Sequence, residues 1–196
     1  MRIACSLVSL VLFCGCALTE ESVRLSYRPE PGVTRIAGAD GVTTVVTVVD
    51  ARADRTRVGA KKNGFGMETA AIRSVEEVAT TVQAAIESEL HARGFRVARE
   101  GGVTISIEIT RLWNDFKMGM WAGDAVSEMM ISARVSGRDG AMLYVRNVAT
   151  EGKEPDIQLA SGKNAQLALD RALENGIRQL FADPKFTAAL LGSPAS

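Results

Sequence analysis

The sequence predicts an α+β fold: a mixed, mostly antiparallel sheet of about four to six strands packed by two main helices. Three observations predict it. Val103, Ile105, Ile107 and Ile109 alternate with polar neighbours, and Ala125, Ser127, Met129, Ile131, Ala133 and Val135 form a second alternating run. The turn Arg138-Asp139-Gly140 leads to a third strand near 142–150. Successive strands joined by short turns make an antiparallel meander. Two other stretches, from Ser74 to Leu90 and from Asn164 to Ala182, repeat apolar residues with helical period. The chain has 196 residues, 46% hydrophobic and 23% charged. That is enough for one buried core, so a single domain is expected over 23–192, followed by a tail at 193–196.

The elements follow in order. Met1-Arg2 is a short positive start, and residues 3–13 are an apolar run interrupted only by Ser6 and Ser9. A membrane-spanning helix needs roughly 17–25 residues, so this run reads as the core of a signal peptide over 1–15. It ends in Phe13-Cys14-Gly15-Cys16, which resembles the bacterial lipoprotein signal with Cys16 as the lipidated residue. Cys14 does not fit that role, because bulky Phe13 would then fill the small-residue slot before the cut. Residues 16–22 become the lipidated Cys and a short tether, and Cys5 and Cys14 leave with the signal. The mature chain then has no free thiol for catalysis or a disulfide.

Val23, Leu25 and Tyr27 alternate with Arg24, Ser26 and Arg28, predicting a strand that stops before Pro29 and Pro31. Residues 43–50 are a Val/Thr run with apolar residues at both parities, as in a central strand covered on both faces. Residues 51–73 read as a long polar connection. Ser74 and Glu77 have capping-box spacing ahead of the first helix, whose stripe is Val75, Val78, Ala79, Val82, Ala85, Ile86 and Leu90. Gly94 ends it. Residues 95–98 form a short strand, Glu100-Gly101-Gly102 a turn, and the meander follows. The last helix turns Ala165, Leu169, Ala172, Leu173, Ile177 and Leu180 inward. Asp183-Pro184 stops it, before a short helical tail at 185–191.

Several functions are excluded or disfavoured by composition. Equal numbers of basic and acidic residues, 23 each, leave no general basic footprint for nucleic acid. One His and three Cys leave little material for a metal cage, and no nucleophile-elbow, zinc-protease or dinucleotide motif is present. His91 sits in the last turn of the first helix, where a cation complements the helix dipole. No catalytic residue, metal or cofactor is expected.

The lipidation signal, the strand ending in Asp50-Ala51-Arg52, the helix end His91-Ala92-Arg93-Gly94-Phe95, the long strand over 103–115, and Asn164-Ala165 with Phe186-Thr187-Ala188-Ala189-Leu190 together resemble the YajG family of bacterial lipoproteins. The resemblance spans most of the mature chain. It implies a small lipid-anchored α+β domain and carries over no catalytic residue. Ala17 after the lipidated Cys resembles lipoproteins sorted to the outer membrane, facing the periplasm. The expectation is a palmitate-bearing, non-enzymatic accessory or scaffold in cell-envelope assembly, held to the membrane through Cys16 and partnered by an envelope protein or a second copy. A lipid or small-ligand carrier is the alternative.

Two segments stand out as interaction surfaces. The turn between the long strands carries Trp113, Phe116, Met118, Met120 and Trp121, including both tryptophans of the chain. Aromatic and Met enrichment suits a protein interface or membrane contact. Alternatively, Trp113 and Phe116 continue into the core and only 118–121 is exposed. The second segment holds Arg52, Arg55, Arg57, Lys61 and Lys62 against Asp54. It is a candidate for phosphate-bearing headgroups or an acidic partner, or else a solvated loop whose start is set by an Asp50–Arg52 pair.

Overall fold

The structure is a computed structural model and describes residues 19–63 and 65–192. The signal-peptide and Cys16 expectations lie outside the described residues. Among the described residues eight strands form one sheet: β1 Glu21–Val23, β2 Thr43–Asp50, β3 Arg57–Lys62, β4 Glu68–Ser74, β5 Arg96–Val97, β6 Val103–Met118, β7 Gly123–Ser136 and β8 Met142–Ile157. Three α-helices among these residues accompany them, α1 Val78–Arg93, α2 Gly162–Phe181 and α3 Pro184–Leu190.

β6 is the organising strand. Along one edge it pairs antiparallel with β7, which pairs antiparallel with β8, so the expected meander is present. Along its other edge two strands lie end to end: β2 runs parallel beside Val103 to Ile109, and β3 takes over where Gly59 meets Asn114. Outside β3 lie β4 and then β1; outside β2 lies β5.

The sheet therefore corrects the expectation in strand number and in direction. It has eight strands rather than four to six. Four of the seven pairings, β1/β4, β2/β5, β2/β6 and β3/β6, are parallel, so its character is mixed rather than mostly antiparallel. The physical reason is the crossover through α1, which brings the chain back from β4 to run parallel beside β2. Such pairing links residues some sixty positions apart, and no local pattern announces it.

The polar connection expected over 51–73 is instead the β3–β4 hairpin. Its strands are built from small and charged residues, with Val58, Ala60, Ala70, Ile72 and even Lys61 buried. The strand expected at 23–28 lies earlier, at Glu21–Val23. The capping box is also corrected: Ser74 closes β4, donating its amide to Thr56 O at 2.7 Å and its hydroxyl to Glu76 O at 2.7 Å. Helix α1 starts four residues later, with Glu77 at its N-cap making no side-chain cap bond. Gly94 does end it, at φ 97° in the left-handed region where glycine carries no Cβ penalty. Helix α2 is capped by Ser161, whose Oγ accepts from the Asn164 amide, and α3 by Asp183, which accepts from the Lys185 amide.

The helices cover one face of the sheet. Ile105, Ile107, Ile109 and Leu112 of β6 and Met129 and Ile131 of β7 join Ile86 and Leu90 of α1, Leu169, Leu173 and Ile177 of α2 and Phe186 of α3 in one core. The opposite face stays wet, so β2 is covered on one side only: Val46 is buried while Val49 is 58% exposed. A bulge between Ile109 and Arg111 sets which residues of β6 face inward. Before it the odd positions are buried; after it the even ones are, Leu112, Asn114 and Phe116.

Candidate functional site

Four of the five cations of the cationic segment are engaged by partners within the fold. Arg52 is nearly buried where β2 hands over to β3. It makes a two-pronged pair with Asp50, Nε to Oδ1 at 2.9 Å and Nη2 to Oδ2 at 2.7 Å, and both side chains are largely shielded. Its remaining protons go to the carbonyls of Arg55, Arg57 and Leu112 at 2.6, 2.9 and 3.2 Å. The planar guanidinium thus supplies donors where the strand ladder is interrupted. Arg57 pairs with Glu68 and stands 5.2 Å from the centre of the Trp113 ring. Lys61 is buried against Glu21, with Nζ also 3.2 Å from Thr19 O, and Lys62 pairs with Asp115 at 2.7 Å. Arg55 alone of the five stays exposed with no acidic partner among the described residues.

Alternation divides the aromatic segment between the two faces, and the bulge decides which residues turn inward. Phe116 is core, and Trp113 is half-buried beneath Arg57 on the open face. Met118 is partly exposed, and Met120 and Trp121 project into solvent at 89% and 86% exposure. Three further exposed apolar residues sit at the same end of the sheet. Because β3 runs parallel to β6 and Lys62 is ion-paired to Asp115, the turn after β3 lies abreast of the turn after β6. That turn exposes Phe65 (91%) and Met67. Ile157, at the end of β8, pairs with Gly123, which brings exposed Leu159 to this end too. Sequence reasoning missed Phe65, Met67 and Leu159; the available signal was a lone Phe and Met inside an otherwise polar turn.

The N-terminal segment leaves the sheet at this end. β1 runs parallel to β4 and hence opposite to β3, so the chain preceding Glu21 heads towards the two turns. Glu21 fastens it, accepting from the Gly162 amide at 2.5 Å as well as pairing with Lys61.

Other ionisable groups are locked into structural networks. Glu89 is buried and accepts from Tyr27 Oη at 2.5 Å and the Glu30 amide at 3.1 Å, and it pairs with Arg93. Burial pushes its pKa up, but the Tyr27 hydroxyl, the Arg93 guanidinium and the Glu30 amide outweigh that and hold the carboxyl below its usual range. Asp183 accepts from Tyr144 Oη at 2.9 Å and Arg146 Nη1 at 2.7 Å. His91 is exposed at the end of α1. Among the described residues no three of His, Cys, Asp and Glu are grouped to hold a metal ion. A groove lined by Val48, Val49, Val75, Val78 and Ala79 together with Arg55 and Glu76 lies between β2 and the start of α1.

Residues 29–191 match the model of a protein family described as uncharacterized lipoprotein. The chain is 23% identical over 185 residues to the uncharacterized lipoprotein YajG of Escherichia coli K12, covering 93% of this chain and 92% of that one. Its fold is similar to the crystal structure of protein XCC0632 from Xanthomonas campestris, with a TM-score of 0.57 at 15% identity, across 87% of this chain and 96% of that one. A second crystal structure, of an uncharacterized protein, matches with a TM-score of 0.51 at 13% identity, across 82% of this chain and 95% of that one. No helix among the described residues is long and apolar enough to cross a membrane.

Proposed function

Because the chain belongs to the YajG family of lipoproteins, we propose that it is an outer-membrane protein facing the periplasm, anchored by lipid on Cys16, that serves as a non-enzymatic accessory or scaffold in envelope assembly or maintenance. The observation that carries this reading is the way the N-terminal segment is built in. Glu21 is already paired with Ile72 in the sheet and tied to Lys61 and Gly162. Five residues after the proposed anchor the chain is already paired in the sheet, so the leash to the membrane is short. That suits a protein whose work is local binding rather than reaching across the periplasm. Lipidation with two or three acyl chains gives stable anchoring, since each buried methylene contributes about 0.8 kcal/mol.

Cys16→Ser tests the reading directly. Radiolabelled palmitate is expected to be incorporated by the parent and not by the variant, and the parent is expected in outer-membrane fractions. Label that persists in Cys16→Ser, or a parent confined to the inner membrane, refutes it. In-cell crosslinking of the parent then identifies the envelope partner. A second reading, as a carrier of lipid or a small ligand, rests on the apolar groove between β2 and α1. Native mass spectrometry of the purified protein would reveal a copurified ligand if that groove is used.

A further inference from the structure

We propose that the end of the sheet bearing the β3–β4 and β6–β7 turns is a membrane-seated face, in which Phe65, Met67, Met118, Met120 and Trp121 enter the interfacial layer of the bilayer that holds the anchor. The inference rests on lipidation at Cys16, as proposed above, and adds which face meets the membrane.

The first argument is reach. Thr19 lies beside Lys61, whose Nζ is 3.2 Å from its carbonyl oxygen. Cys16 is three residues earlier, a contour of at most about 11 Å. The turn beyond Lys61 extends in the same direction as the departing chain, by roughly 7–10 Å at strand rise. A lipid attached so close to Thr19 therefore brings the bilayer surface to the level of these turns. The far end of β6, at Val103, is eleven residues from Asn114, roughly 36 Å along the strand, and lies beyond that reach.

The second argument is chemical. Turn tips ordinarily collect polar residues, yet these expose one Trp, one Phe and three Met. Trp is suited to the membrane interface because its ring is apolar while its N–H can bond to headgroups or water. Three carboxylates at this end are paired, Asp115 with Lys62 at 2.7 Å, Asp124 with Lys153 at 2.8 Å, and Glu68 with Arg57, while Asp156 beside Ile157 is exposed and forms no ion pair among the described residues. Pairing removes the repulsion that bare carboxylates would meet at anionic headgroups, and Lys117 stands exposed beside them.

The test uses the full lipidated protein reconstituted in vesicles of phosphatidylethanolamine and phosphatidylglycerol containing an acyl-brominated phospholipid. Tryptophan emission is expected to be quenched by brominated lipid, and the quenchable part to fall at least about twofold in Trp121→Phe, an exposed position that tolerates the change. Flotation and the mass of the Cys16 peptide report anchoring independently. Emission untouched by brominated lipid in floated, lipidated protein overturns the seating and leaves the anchor standing. An unmodified Cys16 peptide overturns both. A Trp121 signal that shifts with protein concentration but ignores brominated lipid assigns the tip to contact between copies, and likewise overturns the proposal.

Discussion

Tyr27 and Tyr144 are the chain's two tyrosines, and each hydroxyl donates to a carboxylate that is itself paired to an arginine. Burial first, and then the neighbouring Glu89, push Tyr27 well above its ordinary value, and burial with Asp183 pushes Tyr144 up to about 12. An unfolded chain releases these protons near pH 10, whereas the folded one retains them. The native state then binds more protons than the unfolded state above that pH, so stability is fully present below about pH 10 and is lost as pH rises towards and through 12. Ultraviolet titration should show little tyrosinate in the folded protein at pH 11 and a midpoint near 10 in denaturant. A native midpoint near 10 would mean that these hydroxyls are not held as described. At the same scale, of the five cations within eleven residues from Arg52 to Lys62, four have a carboxylate partner within the fold.

Single positions decide how the secondary elements pack. Gly152 of β8 lies directly under α2, and a Cβ built there would collide with the Ala168 carbonyl oxygen and the Ala172 amide nitrogen. Because both obstacles are helix backbone, the helix as a whole would have to lift. Gly152→Ala is therefore expected to destabilise the protein by about 2–3 kcal/mol, read from the urea midpoint. An unchanged midpoint would show that α2 can shift at no cost. The bulge in β6 acts at the same scale. By inserting Thr110 without a partner it reverses the inward parity, sending Phe116 to the core and Trp113 to the open face. Strict alternation from Val103 onward would have placed them the other way round.

For the molecule as a whole, the consequential feature is the integration of the N-terminal strand. Glu21 links β1 to β3 through Lys61 and to the start of α2 through Gly162, so one side chain sets where the tether begins. Glu21→Ala leaves Lys61 nearly buried without its carboxylate. Because the Glu21 side chain is about a third exposed, the loss is expected to be only about 1 kcal/mol. Its local effect is larger: the amides over 21–23 should exchange with deuterium roughly tenfold faster, while those of β6 and β7 stay protected. Unchanged protection at 21–23 would mean that β1 is held by its ladder to β4 alone. Releasing β1 would lengthen the leash and loosen the orientation of the domain at the membrane.

The sequence by itself determined the elements whose information is local. Alternation over 103–109 and 125–135, the apolar stripes of α1 and α2, the Gly94 stop and the Asp183 boundary rest on contacts within a few residues, where periodicity and capping chemistry operate. The Asp50–Arg52 pair was readable for the same reason. Only the tertiary structure decided the parallel half of the sheet, the strands hidden in small and charged residues at Arg57–Lys62 and Glu68–Ser74, and the parity of β6 beyond its bulge. It also decided that Phe65, Met67 and Leu159, far apart in the chain from Trp121, share its end of the sheet. Each of these depends on which distant strand supplies the missing hydrogen bonds, and that choice is made by the energy of the whole sheet rather than by any window of sequence.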